Sequence, residues 1–437
     1  MVTGANCREV VTVPGNRVHD VTPITSSLAL LVAITGGESP WAVEKSLDEL
    51  ERLADTAGMR ECGRIIQDRT GPDAATYVGK GKLQTIEAER ERHGADTVLF
   101  DGELSASQVR NIQEVVNGRV LDRTQLILEI FSARAQSREG KAQVELAQLT
   151  YLLPRLTGHG VELSRLGGGI GTRGPGETKL EVDRRQIRRR IESLRAELEL
   201  IRRQRRLRRE GRHSGGTPVL ALVGYTNAGK STLLNALTGA DALTEDKLFA
   251  TLDPMTRQLV LPHGQQVVVT DTVGFLRKLP HELVAAFRAT LEEVGEADLL
   301  LHVVDASSPE LEGQVATVVE VLTQLEAADR PILTVLNKCD LIGEAAAEAL
   351  AARWEPAVTV AARSGQGLAQ LLAAVERELA NTREQLTLRI PYGRAAVLDL
   401  VHEYGKVLAQ RYEETGVVVE AELPRAWAGR VRRQLEV

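Results

Sequence analysis

The sequence predicts a multidomain α/β protein. An amino-terminal parallel α/β domain carries a long antiparallel helical hairpin, a second α/β domain follows, and a small α+β domain closes the chain. Three observations carry this expectation. Short apolar runs alternate with helical stretches of roughly 10–15 residues, the pattern of a parallel sheet wrapped by helices. One apolar stripe (Leu180, Ile187, Ile191, Leu194, Leu198 and Ile201) steps by 7, 4, 3, 4 and 3, the spacing of a long amphipathic helix. The run GYTNAGKS (224–231) lies between an apolar strand and a helix. At about 100–200 residues per domain, 437 residues call for two to four domains.

In chain order, residues 1–26 show no periodicity and read as a loose arm. LALLVAI (28–34) reads as a buried strand and VEKSLDELERLADTAG (43–58) as a helix stopped by Gly58. RIIQDR (64–69), DTVLF (96–100) and RVLD (119–122) read as further strands. Between them lie helices over 82–94 and 105–118, the latter entered through a Ser cap. This domain is taken as 27–135 and the hairpin as 136–212. Lys141–Leu153 forms the first arm, with Ala142, Leu146, Leu149 and Leu153 on one stripe facing that of the second arm. Between the arms, six glycines fall within 167–176 (Gly167, Gly168, Gly169 and Gly171 among them), flanked by Arg165, Arg173 and Lys179. Glycines with basic neighbours at the end of a long arm suit close backbone approach to a polyanion. HSGGTP (213–218) is a linker, 217–380 the second α/β domain, and 385–437 the α+β module.

Composition narrows the function. With 43% hydrophobic and 26% charged residues the chain is neither disordered nor fibrous. No apolar run approaches the about 20 residues of a membrane span, and the first residues lack the form of a signal peptide. Three cysteines (Cys7, Cys62 and Cys339) make no CxxC or metal spacing, as expected of a reducing cytoplasm. Net charge is −6, yet 184–212 holds 13 Arg against 4 Glu, a balance of +9 that leaves −15 for the rest. The concentration reads either as a solvated Arg-rich helix face or as a contact with a polyanion, and because Arg grips phosphate bidentately it tilts towards nucleic acid.

The chemistry lies in the second α/β domain. GYTNAGKS matches the P-loop pattern. Gly224 and Gly229 let the loop curl so that backbone N–H groups face phosphate oxygens, with a helix N-terminus behind, and Tyr225, Thr226, Asn227, Ala228 and Gly229 are expected to bind the nucleotide. Lys230 brings a compact charge to the β and γ phosphates, and the hydroxyl of Ser231, followed by Thr232, reaches Mg²⁺. In VVVTDTVGF, Asp271 ends a strand and can hold the Mg²⁺ through water, while the Gly274 N–H can meet the γ phosphate. LFATLDP supplies Phe249 beside the nucleotide and Thr251 as the switch threonine on Mg²⁺ and the γ phosphate. In TVLNKCD (334–340), Asn337, Lys338 and Asp340 resemble the guanine reader of GTPases. Asp340 would accept from guanine N1–H and N2–H₂, and adenine offers neither donor. Ala361 and Ala362 complete the base pocket, the latter through its N–H. The expected ligand is therefore GTP with Mg²⁺, the expected reaction its hydrolysis, and the expected domain a P-loop GTPase domain. Phe275 stands where many GTPases place a water-orienting Gln, so hydrolysis by the protein alone should be slow. Asn227 resembles the P-loop Asn of K⁺-dependent GTPases, and it also suits a left-handed turn. The catalytic set is Lys230, Thr251, Gly274 and Asn227.

These motifs, together with YVGKGK (77–82), FDGELSASQVRNIQ (100–113), DRTQLILEIFSARAQSREGKAQVELAQLTYLLPRL (122–156), RLGGGIGTRGPGETKLEVDRR (165–185) and FRATLEEV (287–294), resemble the HflX family of ribosome-associated GTPases. The likeness runs from about 28 to at least 380, with Ala106 where Pro is common and Ala361 where Ser is common. It implies a cytoplasmic monomer that binds the large ribosomal subunit and its rRNA. The amino-terminal domain and the hairpin tip (Arg165, Gly167, Gly168, Gly169, Gly171, Arg173 and Lys179) would face the peptidyl-transferase region. It further implies splitting or rescue of stalled or idle ribosomes, notably under heat stress, with hydrolysis stimulated by the ribosome. Some relatives also bind ATP through the amino-terminal domain. Two other readings stand beside this: an RNA-modification or ribosome-assembly GTPase, and a GTP-gated RNA-binding clamp with incidental turnover.

Overall fold

A computed structural model describes residues 27–156, 179–213, 217–239, 248–249, 252–278 and 293–436. The expected loose arm, Thr251 and the glycine-rich tip (Arg165, Gly167, Gly168, Gly169, Gly171 and Arg173) lie outside the described residues, and Lys179 is described in its backbone alone. The chain divides into two compact units. The first reaches to Gly102 and takes in Asn111–Leu121; the second comprises Glu103–Arg110 and Asp122–Val437.

The first unit is built on a four-stranded sheet of order β2-β1-β3-β4, with β1 parallel to both β2 and β3. The strands are β1 (Ser27–Ile34), β2 (Met59–Gln67), β3 (Thr97–Phe100) and β4 (Arg119–Asp122). Helices α1 (Pro40–Thr56) and α2 (Lys80–His93) belong to it, and α3 (Ala106–Gln113), whose first five residues are counted with the second unit, precedes β4 in the chain. β1 is buried along its centre, as its continuous apolar run requires. α1 starts at a Ser39 cap whose side chain accepts from the Ala42 N–H at 3.2 Å, with Pro40 entering the first turn. It buries Val43, Leu47, Leu50, Leu53 and Ala54. β2 begins five residues before the expected strand, because Gly58 (φ 84°) turns the chain straight into register with Ser27. Its polar composition hides it: Arg64 is ringed by Glu44, Asp48, Glu51 and Glu61 on this outer strand.

The second unit opens with α4 (Arg123–Arg134), capped by the Asp122 carboxylate, which accepts from the Gln125 N–H at 2.8 Å. Its run QLILEIF carries no amphipathic stripe because the helix is buried on several sides, and periodicity does not reveal it. α5 (Arg138–Leu152) and α6 (Lys179–His213) are the two arms of the hairpin. At 1.5 Å per residue, the 35 residues of α6 extend about 50 Å. The arms meet along the expected stripes: Ala142, Leu146 and Leu149 pack against Leu194 and Leu198. Arg138–Glu197 (2.7 Å) and Arg190–Glu145 (2.6 Å) flank that seam.

The second α/β domain has a six-stranded sheet of order β10-β9-β8-β5-β7-β6. Its strands are β5 (Val219–Val223), β6 (Met255–Val260), β7 (Gln266–Asp271), β8 (Leu299–Asp305), β9 (Ile332–Asn337) and β10 (Ala357–Thr359). All neighbours are parallel except β6, which runs antiparallel to β7. Helices α7 (Lys230–Thr238), α8 (Leu311–Gln324), α9 (Glu344–Arg353) and α10 (Leu368–Thr382) accompany it. Leu220, Leu222, Leu233, Val269, Leu301, Val335 and Leu371 lie in its core. The last module is an antiparallel sheet of order β11-β13-β12, from β11 (Arg383–Pro391), β12 (Lys406–Glu413) and β13 (Gly416–Pro424). Helices α11 (Ala395–Tyr404) and α12 (Arg425–Glu436) contribute Val397, Val401, Ala428 and Val431 to its core.

Candidate functional site

The carboxyl ends of β5, β7 and β9 converge, and the chemistry-bearing loops leave the sheet there, as open α/β sheets arrange their ligand sites. β5 runs into the P-loop at Gly224. Its φ is 155°, and a Cβ there would fall 2.2 Å from the Val303 carbonyl oxygen. Gly229 (φ 93°) caps α7 with no side-chain hydrogen bond, and a Cβ on it would meet Asn337 Nδ2 at 2.2 Å. Asn227 holds φ 60°, the left-handed turn that Asn tolerates.

Lys230 is buried and donates to the carbonyls of Gly224 (3.0 Å) and Tyr225 (2.9 Å), so its ammonium is fixed inside the loop. Burial pushes its pKa down to about 8, and the Asp271 carboxylate opposes that shift. Below it on β8, His302 is buried. Burial first, then the Lys230 charge, press its pKa down to about 4, so it is neutral at physiological pH. Ser231 Oγ donates to Asp271 Oδ2 at 2.6 Å. Two hard oxygen groups side by side below a phosphate cradle are a donor set that suits Mg²⁺. The Thr226 hydroxyl is buried without a hydrogen-bond partner among the described residues, a donor that a phosphate oxygen would satisfy.

The segment after β7 lies against the P-loop. Thr226 N–H donates to the Phe275 carbonyl (2.8 Å) and Phe275 N–H to the Gly224 carbonyl (3.1 Å). Gly274 sits at the ammonium: a Cβ on it would lie 3.0 Å from Lys230 Nζ and 2.8 Å from Thr226 Cα. Phe275 is buried and offers no polar atom to a water. Tyr225 is buried too, and its hydroxyl accepts from the Arg277 N–H at 3.0 Å. Arg123, at the start of α4, lies fully buried near Tyr225 and Arg277; burial lowers its pKa to about 10.

The loops expected to read the base are joined by Asn337. Its Nδ2 donates to the Ala228 carbonyl (2.8 Å), and its Oδ1 accepts the Ala362 N–H (3.0 Å). One buried amide thus ties the P-loop to the loop after β10. The Ala362 N–H, expected to meet guanine O6, is engaged by Asn337 in this structure because a buried amide demands both partners. Lys338 (φ 62°) pairs with Asp305 at 2.7 Å. Asp340 is exposed, and Ala361 is buried.

Phe249 (φ 54°) does not present its ring to this cradle. It is 3% exposed and packs edge-on against Phe131 of α4, centroids 4.5 Å apart. Sequence reasoning also passed over Arg123, His302 and Asp253. Arg123 and His302 carry no motif, since a charged or titratable residue within an apolar run reads as ordinary sequence. Asp253 left only the faint signal of an acid before Pro254. Among the described residues no group of three or more His, Cys, Asp or Glu is placed to hold a metal, and no helix is long and apolar enough to cross a membrane.

Comparison with known proteins agrees with this geometry. Three family models match in order: "GTP-binding GTPase N-terminal" over 44–132, "GTP-binding GTPase Middle Region" over 134–212 and "50S ribosome-binding GTPase" over 219–338. The chain is 50% identical to GTPase HflX of Caldanaerobacter subterraneus over 90% of each chain. It is 58% identical to GTPase HflX of Alkalihalophilus pseudofirmus over 68% of this chain and 70% of that one. A crystal structure of a GTP-binding protein from Sulfolobus solfataricus in complex with GDP is 26% identical, covering 81% of this chain and 99% of that chain at a TM-score of 0.41. With three family models matching in order and half of its residues identical to a relative over nine tenths of both chains, the chain belongs to the HflX family of GTPases, whose GTPase domain is of the ribosome-binding type.

Proposed function

We propose that this GTPase docks on the large ribosomal subunit in its GTP-bound form, through the basic helical hairpin and its glycine-rich tip, and separates or rescues stalled or idle ribosomes. Contact with the ribosome then stimulates hydrolysis and releases the protein. The observation that carries this reading is the pairing of a formed P-loop, with Lys230 held at its centre, and a buried Phe275 in the position that elsewhere orients the attacking water. A site with its charge placed but no water-orienting side chain there is a switch whose turnover a partner can raise.

Each residue has a role in this scheme. Backbone N–H groups of Asn227 and Gly229 and of the start of α7, with Ser231 and Thr232, would hold the phosphates, Tyr225, Thr226 and Ala228 shaping the loop, and Lys230 would neutralise their charge; the Thr226 N–H is spent on the Phe275 carbonyl. Ser231 and Thr251 would hold Mg²⁺ directly and Asp271 through water, the ion drawing charge from the β and γ oxygens. Gly274 reports the third phosphate through its N–H, and Asn227 would place K⁺ beside it. Asn337 keeps the base pocket in register while Lys338, Asp340, Ala361 and Ala362 line it. Arg165, Gly167, Gly168, Gly169, Gly171, Arg173 and Lys179 would meet rRNA. Loss of the third phosphate releases the switch segments, an order-to-disorder device general to such GTPases.

Sedimentation of ribosomes tests the reading. With a non-hydrolysable GTP analogue, the protein should migrate with large subunits and shift whole ribosomes towards subunits. Migration with assembly precursors or tRNA instead would favour the modification or assembly reading and overturn this one.

A further inference from the structure

The hairpin and the GTPase domain meet at a compact polar joint. α5 begins at Ser137, whose Oγ accepts the Gly140 N–H at 2.8 Å. The rest of that helix start is satisfied from a distant part of the chain. Asp253, just before β6, accepts the backbone N–H groups of Gln136 (3.0 Å) and Ser137 (2.8 Å) through Oδ2, and the Ser137 hydroxyl donates to its Oδ1. A carboxylate at a helix start meets both the orphan N–H groups and the positive end of the dipole. Position 140 is glycine for a local reason: a Cβ there would lie 2.3 Å from Asp253 Oδ1. Four residues before Asp253, Phe249 is buried against Phe131 of α4. Phe249 and Asp253 are therefore each held by the helices that lead into the hairpin.

We propose that Asp253 is a positioning residue that couples the nucleotide to the hairpin. When the nucleotide site rearranges around the third phosphate, Asp253, just before β6, carries that movement to the start of α5. α5 is joined to α6 by Ala142, Leu146, Leu149, Leu194 and Leu198 and by two ion pairs, so its displacement moves the arm as one body. The inference rests on the reading that GTP governs docking of the hairpin on the ribosome. It adds which contact transmits the control.

The test compares the affinity of the full chain for isolated large ribosomal subunits with a non-hydrolysable GTP analogue and with GDP. Wild type, Gly140→Ala, Ser137→Ala and Asp253→Asn are measured. Gly140→Ala is the sharpest probe, because Ala favours the helix while its methyl displaces the Asp253 carboxylate. In wild type the analogue-to-GDP affinity ratio should be about 10-fold or more, within the usual range of allosteric coupling. In the variants it should fall to within about twofold of unity, while affinity for a fluorescent GTP analogue without ribosomes stays that of wild type. Amide hydrogen exchange at Gln136 and Ser137 should differ between the two nucleotides in wild type alone. Variants that keep the wild-type ratio, with only a lower melting temperature, would reduce Asp253 to a helix cap and overturn the inference. A wild-type ratio of one would instead overturn the underlying reading of GTP control.

Discussion

The two α/β sheets of this protein begin alike and diverge at one turn. In each, a buried strand enters a glycine-containing loop and then a helix. After β1, the loop ends in Ser39, whose side chain satisfies the first turn of α1. After β5, the loop ends in Gly229, which caps α7 with no side chain at all. The first helix start is closed by its own sequence, whereas the second keeps its N–H groups for a ligand's oxygens and sets an ammonium beside them. The glycines differ in the same sense. A Cβ on Gly36 or Gly37 would meet nothing within 4 Å, while one on Gly224 or Gly229 would strike backbone or a buried amide at 2.2 Å. Glycine in the amino-terminal loop serves a turn; in the P-loop it serves close approach.

Substitutions can break that contrast. The largest effect should come from Lys230→Ala, which removes the charge held among the P-loop carbonyls. GTP turnover should fall by about 1000-fold, read as phosphate release; wild-type turnover would refute the cradle. Gly229→Ala forces a methyl into Asn337 Nδ2 at a φ of 93° and should weaken GTP binding by about 100-fold, seen by titration with a fluorescent analogue. Gly37→Ala should leave that titration unchanged and cost about 1 kcal/mol of stability for its positive φ.

The pH dependence of the GTPase domain sharpens the contrast next. His302 titrates near 4 in the fold, against 6.5 for an ordinary imidazole. The unfolded chain therefore takes up the proton first on acidification, and stability is lost as pH falls through 6.5 towards 4. Between pH 7 and pH 5 that loss should be about 2 kcal/mol, and His302→Gln should remove it in urea unfolding followed at the two pH values. The smallest effect belongs to Ser39→Ala, which opens the closed helix start. It should lower stability by about 1 kcal/mol, seen as a shift in the urea midpoint, with GTP turnover unchanged.

Most of the site could be read from the chain because its chemistry is local. The P-loop spans eight residues whose order sets the strand, the turn and the helix start, so position alone placed Gly224, Lys230 and Ser231. The stripe of Ile191, Leu194 and Leu198 likewise foretold the seam with α5, since helical period decides which residues share a face. The failures have a common physical cause. α4 is enclosed on several sides and so lacks a polar face. β2 sits at the sheet edge and carries charged residues in place of an apolar alternation. The Asp253–Ser137 joint links positions 116 residues apart, and nothing in either local sequence names the other. Phe249 was placed beside the nucleotide because it adjoins the Thr251 stretch, but its ring found an apolar partner in Phe131.

Hydrolysis measured with and without isolated large ribosomal subunits tests the central claim most directly. With Phe275 buried where a water-orienting side chain would stand, the protein alone should turn over GTP slowly, and saturating subunits should raise the rate by about 10-fold or more. Equal rates with and without subunits would contradict the account.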